Sequence, residues 1–316
     1  MRCFKNSRKR KNILISVKEI EAYLNELKME YRVLGNRSVQ VDGFKPFDCA
    51  EEGKLTWVKN WSGEIKEELN HRRALIVVGK EDTGELSGDH CYFLCSDPKM
   101  CFFEILEKFY PEGNTALGIS GHSVIKTDCL GKGISVGEFS CIGENVIIGD
   151  NVAIGSHVTI SGRVKIGNNV VISDGSVLGK AGYGYYLAMD GHRKKVPHYG
   201  GLIIGDYVEI GANTCIDCGT MGDTVIGDYT KIDNLCHIGH NAQIGKDVMI
   251  VAGSILCGSC AIGDGAYIAP GAVVKNQVTV GKNAFVGLQT AATRDVGEDI
   301  SIFGVPGQEF QRKYKI

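Results

Sequence analysis

The sequence predicts a mainly β chain: a parallel β-helix built from hexapeptide repeats, preceded by a small α/β domain. Three observations carry this. Aliphatic residues recur every six positions over much of the chain. Glycine reaches 42 of 316 residues with only 6 prolines, where an average chain holds roughly 7% glycine. Ahead of the repeats, the apolar residues follow helical and strand spacing instead.

The hexad series starts at Val124 and runs through Leu130, Val136, Ile142, Ile148, Ile154, Ile160, Ile166, Ile172 and Leu178. It resumes at Ile204, Ile210 and Ile216, is displaced by a four-residue insertion, and continues from Ile226 to Val286. Every position in the series is Ile, Leu or Val, and the fifth position of each hexad is often small. Such a hexad makes one short strand and one turn. The aliphatic residue points inward, and Gly, Asn or Asp supplies the turn geometry. Three hexads close a triangular coil of 18 residues, and 24 hexads give eight coils, each stabilised by its neighbours.

Upstream, Ser16-Val17-Lys18-Glu19 has the form of a capping box. Ile20, Tyr23, Leu24 and Leu27 follow at helical spacing. Residues 54–58 and 74–79 read as strands, and Asp97-Pro98 supplies an N-cap and first-turn proline for a helix over 98–109. The expected organisation is a basic tail at 1–12, an α/β domain at 13–113, a β-helix at 114–290 with a loop insertion at 179–201, and a C-terminal extension at 291–316.

Net charge is −2, so no strong field favours nucleic acid or an anionic membrane. The longest apolar runs, such as residues 74–78, fall far short of the ~18 residues a transmembrane helix needs. No small-residue cleavage site follows the basic N-terminus, and a cytoplasmic location is expected. Without a secretory signal, the 12 cysteines are not read as a disulfide framework. The pairs Cys215/Cys218 and Cys257/Cys260 have zinc-like spacing. The hexad register instead sends Cys236 and Cys260 inward, and Cys218 and Cys257 to turn-side or outward positions. A pair pointing in different directions cannot converge on one ion, so no metal site is expected.

Between Gly179 and Gly201 the hexads stop. The segment holds Gly182-Tyr183-Gly184-Tyr185-Tyr186, His192-Arg193-Lys194-Lys195 and Pro197. A loop longer than ~15 residues inside a regular prism reads as functional. Together with the run from Ile204 to Ala212, Ile232-Asp233-Asn234, His240-Asn241 and Val251-Ala252-Gly253, it carries a resemblance. From about Ser16 to about Pro306 the chain resembles the UDP-3-O-acylglucosamine N-acyltransferase family. The resemblance implies a left-handed β-helix and a homotrimer with active sites between neighbouring prisms. It also implies an N-terminal domain that helps hold a uridine nucleotide. The activity implied is transfer of an acyl group to the amine of a UDP-linked amino sugar, as in lipid A biosynthesis. The donor would be a thioester of acyl carrier protein or coenzyme A, with no resident cofactor.

The same resemblance assigns site residues. His240 is the catalytic base, since a neutral imidazole can take the proton that the attacking amine must lose. Asp233 matches an acidic position of the family and is expected to orient the imidazole. Steps of 18 residues from His240 reach Gly258 and Asn276, which should form a column along the prism. Gly258 matches the family glycine whose N–H faces the thioester oxygen, a fixed donor at the developing oxyanion. The donor's pantetheine arm would lie along this column. Trp57 and Asn60 are assigned to the uracil. Tyr183, Tyr185, Asn234, Asn241, Asn276 and Gln277 are assigned to the substrates. His237 is expected at the surface.

This chain departs from the family pattern in places. Gln277 stands where the family has a histidine, and Gly63 where it has a uracil-side tyrosine, with Trp61 as the expected substitute. The family continues into helices that engage acyl carrier protein, whereas few residues follow Pro306 here. Thr293-Arg294-Asp295-Val296 instead resembles short-chain hexapeptide acetyltransferases. Acyl-CoA is therefore expected to serve at least as well as the carrier protein. Two other readings stand beside this one: an acetyl-CoA-dependent acetyltransferase acting on another nucleotide sugar, and a noncatalytic β-helix scaffold.

Overall fold

The computed structural model describes residues 14–80, 86, 88–111 and 118–304. The basic tail at 1–12, the expected boundary at 113–114 and the residues after Gly304 lie outside these. The chain divides into two compact units, between Asn114 and Thr115.

In the first unit, helix α1 (Val17–Glu26) begins at the capping box. The Glu19 N–H donates to Ser16 Oγ at 3.4 Å, and the Ser16 N–H donates to the Glu19 carboxylate at 2.8 Å. Val17, Ile20 and Leu24 are buried, while Leu27, expected on the same face, is the C-cap and stays exposed. Helix α2 (Gly63–Asn70) starts at Ser62, and helix α3 (Pro98–Phe109) starts at Asp97, which accepts from the Met100 N–H at 3.0 Å. A five-stranded sheet runs in the order Arg32–Gly35, Cys91–Leu94, Ile76–Gly79, Lys54–Trp57, Gly43–Phe44. Its first pair is antiparallel and the rest are parallel. The two central strands are buried along their whole length, which explains their unbroken apolar runs.

The second unit is a prism of three parallel sheets. Face I has nine strands, from Val124–Ile125 to Ala291–Ala292. Face II has seven, from Val146–Ile148 to Thr279–Val280. Face III has nine, from Ser135–Val136 to Ser301–Ile302. Within the regular coils each inward aliphatic pairs with its equivalent one coil on, as Ile142 with Ile160 and Ile250 with Ile268. From Val136 to Val286 the hexad aliphatics are buried and form one continuous core.

Both ends differ from the sequence reading. Val124 is exposed, and Ile125 takes the position aligned with Ile142, because the first coil is one residue shorter on this face. At the other end, Ala291–Ala292 and Ser301–Ile302 continue faces I and III past the expected limit at residue 290. The loop insertion folds as an antiparallel hairpin, Tyr185–Leu187 against Arg193–Lys195.

One device holds a corner of the prism. The Lys132 N–H donates to Asp150 Oδ1 at 2.7 Å, the Asp150 N–H to Asn168 Oδ1 at 2.9 Å, and the Asn168 N–H to Asp206 Oδ1 at 2.7 Å. Side-chain acceptors thus satisfy turn N–H groups from coil to coil. The glycine before each acidic or amide residue is needed for the approach: a Cβ on Gly149 would lie 2.6 Å from the Gly167 carbonyl oxygen.

Candidate active site

His240 follows the face I strand His237–Ile238, at the corner that leads to face II. The column expected from the 18-residue step is present. The Ser259 N–H donates to the His240 carbonyl at 2.8 Å, and the Gln277 N–H donates to the Gly258 carbonyl at 3.2 Å. Asn276 and Gln277 are exposed at the foot of this column.

Hydrogen bonding fixes the His240 tautomer. The Thr220 N–H reaches Asn241 Oδ1 at 3.0 Å, and a backbone N–H only donates, so this atom is the amide oxygen. Asn241 Nδ2 accordingly donates to the Gly222 carbonyl at 3.1 Å. His240 Nδ1 lies 3.1 Å from the same Oδ1 and must carry a proton to bond there. In the neutral ring the lone pair is then on Nε2. That edge faces Gly258, where a Cβ would lie 2.7 Å from Nε2. The Gly258 N–H makes no hydrogen bond among the described residues.

Within the chain Asp233 does not reach His240. It follows the face III strand Lys231–Ile232 at a different corner, and both its oxygens are taken: Oδ1 by the Asn234 N–H at 2.7 Å and Oδ2 by the Ala252 N–H at 3.2 Å. Asn234 likewise caps the Ala212 N–H at 2.6 Å. Within the chain the Asp233-Asn234 pair serves turn N–H groups, and the side chain that hydrogen-bonds His240 Nδ1 is Asn241.

Three residues missed by the sequence reading surround His240. The His198 ring meets it edge-to-face at 5.4 Å between centroids. Asp217 lies on the face I strand Cys215–Cys218, one coil away, and its side chain is 14% exposed. Gly182, buried at the foot of the hairpin, joins them: a Cβ there would lie 2.7 Å from Asp217 Oδ2 and 3.2 Å from His240 Cδ2. His237 is half-exposed as expected, yet its Nε2 lies 3.8 Å from Asp217 Oδ2. Burial raises the Asp217 proton affinity above the ordinary aspartate value, against the opposing pull of His237, His240, His198 and Lys195.

Tyr183 and Tyr185 sit on the hairpin with their rings 4.9 Å apart, both exposed. Cys218, expected turn-side or outward, is buried, because its strand runs two residues beyond the hexad to pair with Lys180 and Ala181. Cys215 is exposed, so the pair does point in different directions.

In the first unit, Trp57 ends its strand and lines a cavity of about 470 Å³ with Lys59, Lys80, Ser96, Asp97, Pro98 and Lys99. The cavity lies at the carboxyl ends of parallel strands, where open α/β sheets bind ligands. Asn60 is exposed nearby in sequence. Trp61 is not a substitute for the missing tyrosine. Its indole N–H donates to the Lys80 carbonyl at 2.8 Å and its ring packs over Gly79 and Tyr92.

Residues 145–180 and 223–258 match the family described as bacterial transferase hexapeptide (six repeats). The prism carries the bacterial transferase hexapeptide repeat. Curated relatives agree. UDP-3-O-acylglucosamine N-acyltransferase of Rhizobium meliloti (strain 1021) is 41% identical over 157 residues, covering 44% of each chain. An enzyme of that name from Rhodopseudomonas palustris (strain BisB18) is 42% identical over 134 residues, 42% of this chain and 36% of the relative. Another, from Legionella pneumophila (strain Paris), is 53% identical over 85 residues, 27% of this chain and 24% of the relative. The matches span less than half the length of these relatives. Among solved structures, UDP-N-acetylglucosamine acyltransferase of Bacteroides fragilis aligns with TM-score 0.53 at 25% identity, covering 58% of this chain and 70% of that one. With these neighbours, the hexapeptide prism is a left-handed parallel β-helix.

Proposed function

We propose that this chain is an N-acyltransferase that moves an acyl group from a thioester to the amine of a UDP-linked amino sugar, as the relatives' name describes. The carrying observation is the pairing of a lone-pair His240 Nε2 with an unspent Gly258 N–H on one column. The amine nitrogen attacks the thioester carbonyl carbon, and His240 Nε2 takes a proton from it. The Gly258 N–H donates to the carbonyl oxygen as negative charge develops there. The C–N bond forms, the C–S bond breaks, and the sulfur leaves as a thiol with the proton that His240 took.

The donor's arm runs along the column past Asn276 and Gln277, with Tyr183 and Tyr185 of the hairpin beside it. Trp57 stacks on the uracil and Asn60 reads its edge. The enzyme works as a homotrimer in the cytoplasm, and no described helix is long and apolar enough to cross a membrane. The donor is a thioester of coenzyme A or acyl carrier protein. A radiolabel transfer assay with both donors and UDP-3-O-acylglucosamine tests this. Label should enter the amine, and His240→Ala should slow it by about 100-fold or more. Transfer by that variant at the wild-type rate would overturn the assignment.

A further inference from the structure

Two acceptor groups beside His240 have no donor. No described residue hydrogen-bonds to the largely buried Asp217 carboxylate, and the nearest cationic group, His237 Nε2, stands off at 3.8 Å. Lys195, exposed on the hairpin, acts on Asp217 through charge and without a hydrogen bond. The second group is His198. Its Nδ1 lies 2.8 Å from the Val196 carbonyl oxygen, which only accepts, so Nδ1 carries the proton and Nε2 the lone pair of the neutral ring. That Nε2 is buried and has no partner. His240 Nε2, fixed as an acceptor through Asn241, is the third.

A buried acceptor without a donor, as at His198 Nε2, is costly and rare, and its clustering with the Asp217 carboxylate and the His240 Nε2 lone pair calls for a ligand that supplies donors. Ligand groups differ in what they offer. A hydroxyl brings one donor, a neutral amine two, and an ammonium three with a positive charge. The site is therefore matched to an ammonium. Burial of Asp217 adds to the match, since a poorly solvated carboxylate gains most from a cationic donor.

We propose that Asp217 and His198 receive the acceptor's amine as an ammonium beside His240, and thereby select a nitrogen over a hydroxyl acceptor. This rests on the N-acyltransferase reading above. One ammonium proton passes through His240 Nε2 to solvent and leaves the resulting amine hydrogen-bonded to Asp217. The amine nitrogen attacks, and its second proton passes through His240 Nε2 to the departing sulfur. The third remains as the amide N–H, and His240 ends neutral.

The test is equilibrium binding of UDP-glucosamine and UDP-glucose, which differ only in amine against hydroxyl, at about pH 6.5, where an amino sugar is largely charged. Wild type should prefer the amino sugar by about tenfold, the scale of one charge-assisted hydrogen bond. Asp217→Asn should cut that preference to about twofold with little change in UDP-glucose affinity. His198→Phe, which keeps the edge-to-face contact and removes the acceptor, should narrow it as well, and it carries the test should Asp217→Asn fail to fold. Variants that keep the full preference, or that weaken both sugars equally, overturn the proposal. So does a wild type that binds both without preference, which leaves the N-acyltransferase reading standing. A wild type that binds neither removes the UDP-sugar reading and the proposal with it.

Discussion

The His240 imidazole occupies space that only glycine at position 258 leaves open: a Cβ there would lie 2.7 Å from both Cε1 and Nε2 of the ring. The backbone at Gly258 is not in the left-handed region, so alanine meets no backbone strain. What must give is the ring. Gly258→Ala is expected to fold with wild-type thermal stability and to lower turnover about 100-fold, because an ångström-scale displacement of a reacting group costs that much. Steady-state kinetics beside a melting curve checks it. Wild-type turnover would mean that the Nε2 edge is not where the proton is taken.

Asn241 and Asp233 should separate cleanly by mutation. Asn241 holds His240 Nδ1 and the turn at Thr220 and Gly222. Asn241→Ala should therefore lower kcat by about 10- to 100-fold, the usual effect of removing a partner that orients a functional histidine. Asp233 accepts two backbone N–H groups, and asparagine can serve only one of them. Asp233→Asn should cost about 1 kcal/mol of stability and leave kcat within about twofold. A large loss of turnover in Asp233→Asn, with stability intact, would restore Asp233 to the active site.

Much of this architecture was legible in the sequence because it repeats. An inward aliphatic every six residues fixed the faces, and the 18-residue coil carried His240 onto Gly258 without further information. Period fails where the chain stops repeating. Asp217 pairs with Lys180 beyond a register break after Leu178, and His198 arrives on a hairpin, so no spacing rule places either beside His240. The visible hint was chemical: Asp217 stands directly after the inward Ile216, where most hexads have glycine. Helix α2 was missed because it buries one residue, Leu69, and so shows no apolar stripe; its Ser62 cap was the sole sign.

The two tryptophans give the first unit a built-in reporter. Trp57 lines the cavity among Lys59, Lys80 and Lys99, whereas Trp61 is fixed by its bond to the Lys80 carbonyl. Adding UDP should quench fluorescence in wild type and in Trp61→Phe. The quench should vanish in Trp57→Phe. UDP should also raise the melting temperature of wild type, since a ligand bound only to the folded state stabilises it by mass action. A quench that survives in Trp57→Phe would move the uracil away from this cavity.

Asp217 should cost the protein stability at neutral pH. Its proton affinity in the folded state lies above the ordinary value of 3.8 because burial penalises the carboxylate. A raised folded value means that the folded state holds the proton more tightly than the unfolded chain does. The stability this contributes is complete below pH 3.8 and is lost as pH rises through the folded value. Asparagine cannot ionise, so Asp217→Asn escapes the loss. The variant's melting temperature should match wild type near pH 4 and exceed it by a few degrees at pH 7, with the gap opening as pH rises. Melting curves at several pH values, in one buffer of constant ionic strength, measure the gap. A variant destabilised equally at every pH would show that the carboxylate has a compensating partner in the folded protein. A gap that opens with pH, in an enzyme whose amine selectivity falls, would mark Asp217 as a residue kept for binding at the expense of stability.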